Sequence, residues 1–372
     1  MVTTGLDQVV QELPREWHWK RLGLLTNMAA VTTTDLTDAA LALHRAGANL
    51  AVLFAPEHGF FADAPPGANV PDRHEPRLNI PVISLYGAQR APTPEQLAGL
   101  DLLIVDLPDV GARFFTYAST MIETMRAAAQ AEVPVVILDR PNPITGRFME
   151  GPVLDLRFSS FVGMLPLPVR HGRTIGELAL IASNMLEFDV DLDVVPIKGW
   201  NRGWWYDAWM PSWVPPSPNL PSGETALLYA GMGLIEGTNL SEGRGTPLPF
   251  HVVGAPWLDP FRLADELNAA GLPGVRFRPV TFTPTSHKYT GQTCYGVQVH
   301  VTARNEFRPV RTGLAIIALA RAQNPARFQF IRTPNGGYWL DLLFGRSFPR
   351  QRLQEGVSWR EIVDWMEWLD ES

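Results

Sequence analysis

The chain has 372 residues, 46% of them hydrophobic and 19% charged, and carries a net charge of −7. That balance supplies a full core and argues against disorder, and an acidic surplus without a basic block argues against nucleic-acid binding. The single cysteine, Cys294, forbids an intrachain disulfide and leaves no cysteine cluster for zinc. No run of about 18 apolar residues offers a membrane span. Met1 to Lys20 holds Asp7, Glu12 and Glu16 and no apolar stretch, so it is not read as a signal peptide, and the expected compartment is the cytoplasm.

The first half alternates strand and helix signals. Apolar runs at Arg21 to Asn27, Ala48 to Phe54, Ile80 to Leu85, Leu102 to Val105 and Val133 to Leu138 read as strands. Helical spacing occupies Asp38 to Ala46, Pro94 to Leu100 and Ser119 to Ala131. Strands without polar alternation, separated by helices, imply a parallel sheet covered on both faces. The expected fold is therefore α/β, with a Rossmann-like, doubly wound first domain. Polar residues cluster just after the strands: Asn27, Glu57 and His58, Tyr86, Asp106 to Arg113, and Asp139 to Asn142. In open α/β sheets ligands bind at the carboxyl ends of the strands, so these residues are expected to share one rim. No GxGxxG follows the first strand and no P-loop occurs, so no nucleotide cofactor is expected.

The second half has a different grain. Pro211 to Pro221 is proline-rich and reads as an irregular linker or pocket wall. Helical signals follow at Thr225 to Gly231, Pro260 to Ala270, Arg311 to Arg321 and Trp359 to Leu369. Strand signals lie at Val275 to Phe282 and Thr293 to Thr302; in the latter Tyr295, Val297, Val299 and Val301 alternate with Gly296, Gln298 and His300. With about 150 residues per domain as a guide, two domains are expected, 1–222 Rossmann-like and 223–372 a smaller α+β domain. Glu236 to Thr246 fits neither period. Its glycines at 237, 243 and 245 suit positive φ or close approach to a ligand, and Glu242 and Arg244 can point the same way if the segment is extended. A tryptophan cluster at 200, 204, 205, 209 and 213 is either core or a platform for sugar rings.

Six motifs occur in order. They are Pro56-Glu57-His58-Gly59; Asp109-Val110-Gly111-Ala112-Arg113 with Tyr117; Leu138 to Pro143; His171-Gly172 with Thr174 to Glu177; Pro216 to Asn219; and Glu236 to Thr246. Together they resemble the NamZ-type exo-β-N-acetylmuramidases, long catalogued as a domain of unknown function, from about Gly23 to near the C-terminus. The resemblance implies a Rossmann-like domain, a smaller C-terminal domain and an active-site cleft between them. It implies removal of N-acetylmuramic acid from the non-reducing end of peptidoglycan fragments in cell-wall recycling, without metal or nucleotide. Two positions depart from the family: Pro108, where glutamine is usual, and Phe115, where tyrosine is common.

Glycoside hydrolysis usually needs a protonated carboxylic acid and a facing carboxylate. Glu57, after an apolar strand and on the expected rim, is the first candidate acid, or else a hydrogen-bonded structural carboxylate. Asp109, Glu236 and Glu242 are candidate partners; Asp109 alternatively stabilises a turn before Gly111. In a 2-acetamido sugar the substrate's own carbonyl can serve as nucleophile. The lactyl carboxylate of muramic acid calls for a guanidinium, and Arg113, Arg140, Arg170 and Arg244 all lie in the recurring motifs. Arg140 alternatively pairs with Asp139 or Asp109. His58 and His171 can bind sugar hydroxyls or hold structure, Tyr117 can face the rim or pack, and Asn142, Asn219 and Asn239 can bind hydroxyls or form turns. His58, His171 and His251 lack metal-ligand spacing, so no metal is expected. The other readings are a non-catalytic amino-sugar-binding protein, a glycosidase of other amino-sugar specificity, and an esterase or amidase. The absence of a G-x-S-x-G elbow counts against a serine hydrolase.

Overall fold

The computed structural model describes residues 2–186 and 188–371. The chain forms two compact units, each built from separated pieces of sequence. The first comprises Met1–Gly111, Phe115–Arg147 and Gly172–Gly223; the second comprises Ala112–Phe114, Phe148–His171 and Glu224–Ser372.

The first unit is a seven-stranded sheet of order β3-β4-β2-β1-β5-β6-β7. Its strands are β1 (Leu22–Thr26), β2 (Leu50–Ala55), β3 (Arg73–Glu75), β4 (Ile80–Ser84), β5 (Leu102–Asp106), β6 (Val135–Leu138) and β7 (Leu192–Val195). Only β3 runs antiparallel to its neighbour. β1, β5 and β6 are buried at every position, as a sheet covered on both faces requires. The covering helices are α1 (Gly5–Gln11), α2 (Ala39–Arg45), α3 (Pro94–Leu97), α4 (Tyr117–Gln130) and α5 (Ile175–Met185). Their starts are chemically marked. Asp38 caps α2, and Thr4, Thr93 and Thr174 each close a reciprocal capping box with the residue three further on. Strand order reverses between β1 and β5, so this unit has the doubly wound α/β architecture expected from its alternating signals.

The second unit holds a three-stranded antiparallel sheet, β8 (Val252–Ala255), β10 (Cys294–Val301) and β9 (Val275–Phe282), in that order. Its helices are α6 (Gly223–Met232), α7 (Pro260–Ala269), α8 (Pro309–Gln323), α9 (Trp339–Phe344), α10 (Phe348–Gln354) and α11 (Trp359–Glu371). The alternation read in β10 holds for Val297 and Val299, which are buried, while Tyr295 at the strand's start is exposed. β8 and the short helices α9 and α10 carry no signal in the sequence, being too brief to establish a period. Among the described residues, no helix is long and apolar enough to cross a membrane.

α6 and α8 meet through glycine. A Cβ on Gly313 would lie 2.4 Å from the Gly231 carbonyl oxygen, and one on Gly231 would strike the Pro309 carbonyl. The backbones therefore touch where side chains normally intervene. Gly→Ala at an ordinary helix position stabilises by about 1 kcal/mol. Here Gly313→Ala should destabilise by about 1–3 kcal/mol through overpacking. Chemical denaturation of the variant reads the sign directly.

Candidate functional site

In the first unit the motif residues gather where β1, β2, β5 and β6 end. β2 stops at Ala55, and the chain turns through His58 (φ 71°) and Gly59 (φ 75°), two consecutive left-handed residues. A non-glycine residue there is uncommon, and His58 is held by its Nδ1 donating to the Ala64 carbonyl at 2.8 Å.

The turn delivers Glu57 into a nest of donors. Its Oε1 accepts from the Gly67 amide at 2.9 Å and its Oε2 from the Thr116 hydroxyl at 2.7 Å. The Tyr86 phenol is pushed up to about 12, by burial first and then by the charge and hydrogen bond of Glu57. Glu57 is buried, at 9% exposure. Its own carbonyl accepts from Tyr117 Oη at 3.2 Å, and the same hydroxyl lies 2.6 Å from the Pro216 carbonyl. Asn27, just past β1, donates to Tyr117 Oη at 2.9 Å and to the Pro216 carbonyl at 3.2 Å. Tyr117 therefore occupies the first turn of α4 and is fully buried. Burial, and then the charge of Glu57, raise its phenol well above the ordinary value. Gly67 and Thr116 carry no site signal in the sequence, because their partner lies 10 and 59 residues away.

The loop after β5 is set by Asp109, whose Oδ2 accepts from the Gly111 amide at 2.7 Å. Gly111 (φ 79°) has no room for a Cβ, which would meet Ile144 and Asn142. Asn142 spends its amide on the chain itself, accepting from Ile144 N at 3.1 Å and donating to the Arg173 carbonyl at 3.0 Å. Asn219 is partly exposed in the turn that follows Pro218.

The ion-pair partner of Arg140 is neither Asp139 nor Asp109 but Asp106. That aspartate ends β5, the neighbour of β6, and meets the guanidinium through both oxygens, one contact at 2.7 Å. The third donor reaches the Val31 carbonyl at 2.8 Å. Asp139 instead accepts from Gly176 N at 2.7 Å and from the Thr174 hydroxyl at 3.0 Å at the start of α5. Burial pushes its carboxyl up to about 6.

In the second unit Arg113 is buried and donates to the carbonyls of Pro152 (3.0 Å), Leu167 and Leu343 (2.9 Å). It ties three separate segments together. Arg170 is fully buried, its guanidinium 5.3 Å from the Phe148 ring centre, and His171 beside it is buried too. Asn239 pairs with the segment at 327–329, donating to the Arg327 carbonyl at 2.8 Å and accepting from Gln329 N at 2.9 Å.

The segment 236–246 begins in a 3₁₀ turn, Gly233–Gly237, rather than wholly in loop. Glycines at 243 (φ 81°) and 245 (φ 76°) then fold it back. Arg244 Nη1 lies 2.6 Å from Glu236 Oε1 and 3.2 Å from Glu242 Oε1, so the two carboxylates share one guanidinium. Lys288, which no sequence motif singles out, closes the other side. Its Nζ lies 3.0 Å from Glu242 Oε2 and donates to the Leu240, Ile235 and Glu236 carbonyls.

This arrangement drives the two glutamates apart. Burial raises Glu242, but Lys288 and then Arg244 outweigh it and hold the carboxyl below the ordinary glutamate value. Glu236 keeps 34% of its side chain exposed; burial of the remainder and repulsion from Glu242 move it upward despite Arg244. Burial works against the Arg244 charge, and Glu236 and Glu242 more than offset that. One carboxylate biased toward the anion and one toward the acid is the pattern from which acid and base roles are built. Among the described residues no cluster of three or more histidines, cysteines or carboxylates could hold a metal ion.

Residues 22–224 match the family described as "Exo-beta-N-acetylmuramidase NamZ, N-terminal", and residues 227–371 match its C-terminal counterpart. The chain belongs to the NamZ exo-β-N-acetylmuramidase family. The peptidoglycan β-N-acetylmuramidase NamZ of Bacillus subtilis is 41% identical over 363 residues, covering 98% of this chain and 87% of that protein. Two crystal structures of DUF1343 family proteins from Bacteroides fragilis share the fold. One superposes with a TM-score of 0.87 at 33% identity, covering 100% of this chain and 97% of the other. The second gives 0.75 at 29% identity, covering 100% and 98%.

Two expected outcomes separate structural from binding roles. Arg140→Ala should destabilise the protein by about 3–5 kcal/mol, because it strands the Asp106 carboxylate in a buried site; a substrate-binding arginine would change KM and leave the denaturation midpoint in place. Lys288→Met removes the main group that lowers Glu242. A depressed carboxyl stabilises the fold above its unfolded value, 4.5, and that contribution fades as pH falls through the folded one. The Tm gap between wild type and Lys288→Met should therefore be widest at neutral pH and close on acidification.

Proposed function

We infer that this chain is an exo-acting β-N-acetylmuramidase, a glycoside hydrolase that removes N-acetylmuramic acid from the non-reducing end of peptidoglycan fragments. The observation that carries this reading is the match along both halves of the chain to the muramidase family, with 41% identity over 98% of its length to a peptidoglycan β-N-acetylmuramidase. We assign the leading chemical role to Glu57. It stands at the carboxyl end of β2, where α/β sheets place their reacting groups. Its carboxylate is oriented by Gly67 and Thr116, so the group needs little reorganisation when a glycosidic oxygen arrives. A glycosidase carboxyl must give or take a proton at the leaving oxygen or at the attacking water, and a carboxamide can do neither. The two terminal nitrogens of Arg113 donate to backbone carbonyls, which favours a structural role for that guanidinium.

Glu57→Gln should lower kcat on an aryl β-glycoside of N-acetylmuramic acid by at least about a hundredfold, the usual scale for a general acid or base, with circular dichroism unchanged. The corresponding N-acetylglucosamine glycoside serves as the specificity control. A variant that turns over the muramic substrate at near wild-type rate would remove Glu57 from the chemistry. Equal turnover of the two glycosides by wild type would leave a glycosidase of other amino-sugar specificity.

A further inference from the structure

A small cavity of about 50 Å³ lies in the first unit, among residues that follow β1, β5 and β6. Ala29 comes from the loop after β1 and Asp109 from the loop after β5. Strand order reverses between those two strands. The cavity therefore occupies the topological switch point, where a doubly wound sheet leaves its ligand crevice.

Its walls come from the tryptophan-rich and proline-rich stretches. Tyr206, Trp209, Trp213 and Pro216 line it. Tyr206 and Trp213 meet edge to face, with ring centres 5.3 Å apart. The Trp213 indole N–H is satisfied by the Leu220 carbonyl at 2.8 Å. The Trp209 indole N–H is buried and finds no acceptor among the described residues. An unmet buried donor costs about 1–3 kcal/mol unless a water or a ligand meets it, so this N–H can receive a ligand's acceptor. Pro216 connects the cavity to the Glu57 nest, since its carbonyl is the acceptor for Tyr117 and Asn27.

The volume admits one small substituent and not a sugar ring. The wall chemistry calls for a group with an apolar end for the aromatic rings, an acceptor for the Trp209 N–H and a donor for the Asp109 carboxylate. A carboxylate has two oxygens and about four acceptor sites, so Asp109 can accept from a ligand beside the partners it already has, the Gly111 amide among them. An acetamido group has those three features: a methyl, a carbonyl oxygen and an amide N–H. Resting on the muramidase reading above, we infer that this cavity is the recognition pocket for the 2-acetamido group of the substrate sugar, with Trp209 donating to its carbonyl and Asp109 accepting from its amide. The pocket then measures acyl length. N-Acetyl fits, and each further methylene must displace an aromatic wall.

The test compares aryl β-glycosides of muramic acid carrying N-acetyl or N-propionyl groups, with wild type and with Trp209→Phe, which keeps a ring and deletes the donor. For wild type, kcat/KM should fall by at least about tenfold from N-acetyl to N-propionyl, the scale of one methylene in a closed pocket. Trp209→Phe should lose about tenfold on the N-acetyl substrate, for one hydrogen bond, and much less on N-propionyl. Equal wild-type rates on the two acyl forms would overturn the pocket assignment and leave the muramidase reading intact. So would a uniform loss in Trp209→Phe, which would mark a structural tryptophan. Failure of wild type to cleave even the N-acetyl glycoside would overturn the muramidase reading itself, an outcome distinct from cleavage of both acyl forms at equal rates, which overturns the pocket alone.

Discussion

The anchoring of one carboxylate organises the first unit. Glu57 sits between the Gly67 amide and the Thr116 hydroxyl. The backbone that carries it is held in turn by Tyr117, and Tyr117 by Asn27 and Pro216. The ends of β1 and β2, the start of α4 and the proline-rich stretch thus converge on a few buried polar atoms. Such a network has to be fully satisfied, because burial makes every unmet group costly. The left-handed turn at His58 and Gly59 is part of the same demand. Without it the strand would carry Glu57 past its donors.

The second unit solves a related problem with charge rather than neutral donors. Glu236, Glu242, Arg244 and Lys288 form two opposite pairs whose formal charges cancel. Cancellation lets the cluster be largely buried, and asymmetry within it differentiates the acids. The Glu242 carboxylate meets both cations, while the Glu236 carboxylate meets Arg244 and remains partly in water. The segment's glycines serve this geometry by bending the backbone until residues six apart share a guanidinium.

Much of the first unit was legible because its signals are local. Buried parallel strands are continuous apolar runs, and the capping residues at Asp38, Thr93 and Thr174 stand immediately before their helices. The candidate residues on the rim were also visible, since strand ends can be counted in sequence. What could not be read was pairing at long range. The partner of Arg140 proved to be Asp106, chosen by the adjacency of β5 and β6 rather than by nearness along the chain. Lys288 carried no signal, because its role depends on a fold that brings it to carbonyls about 50 residues away. Arg113 and Asn142 carry the residue types of a binding site, yet the terminal nitrogens of Arg113 and the amide of Asn142 donate to the backbone. Residue type alone cannot distinguish those two uses.

The interleaving of the units bears on how the polypeptide can be assembled or divided. The second unit draws on residues 112–114 and 148–171, made long before the bulk of it at 224–372. Arg113 reaches the Leu343 carbonyl, a closure spanning 230 positions. During synthesis those early pieces must wait, uncommitted, until nearly the whole chain has emerged. A cut near residue 224, where the two family segments adjoin, would separate Arg113 and Arg170 from most of the unit they belong to. The seam visible in the sequence is not a seam in the folded molecule.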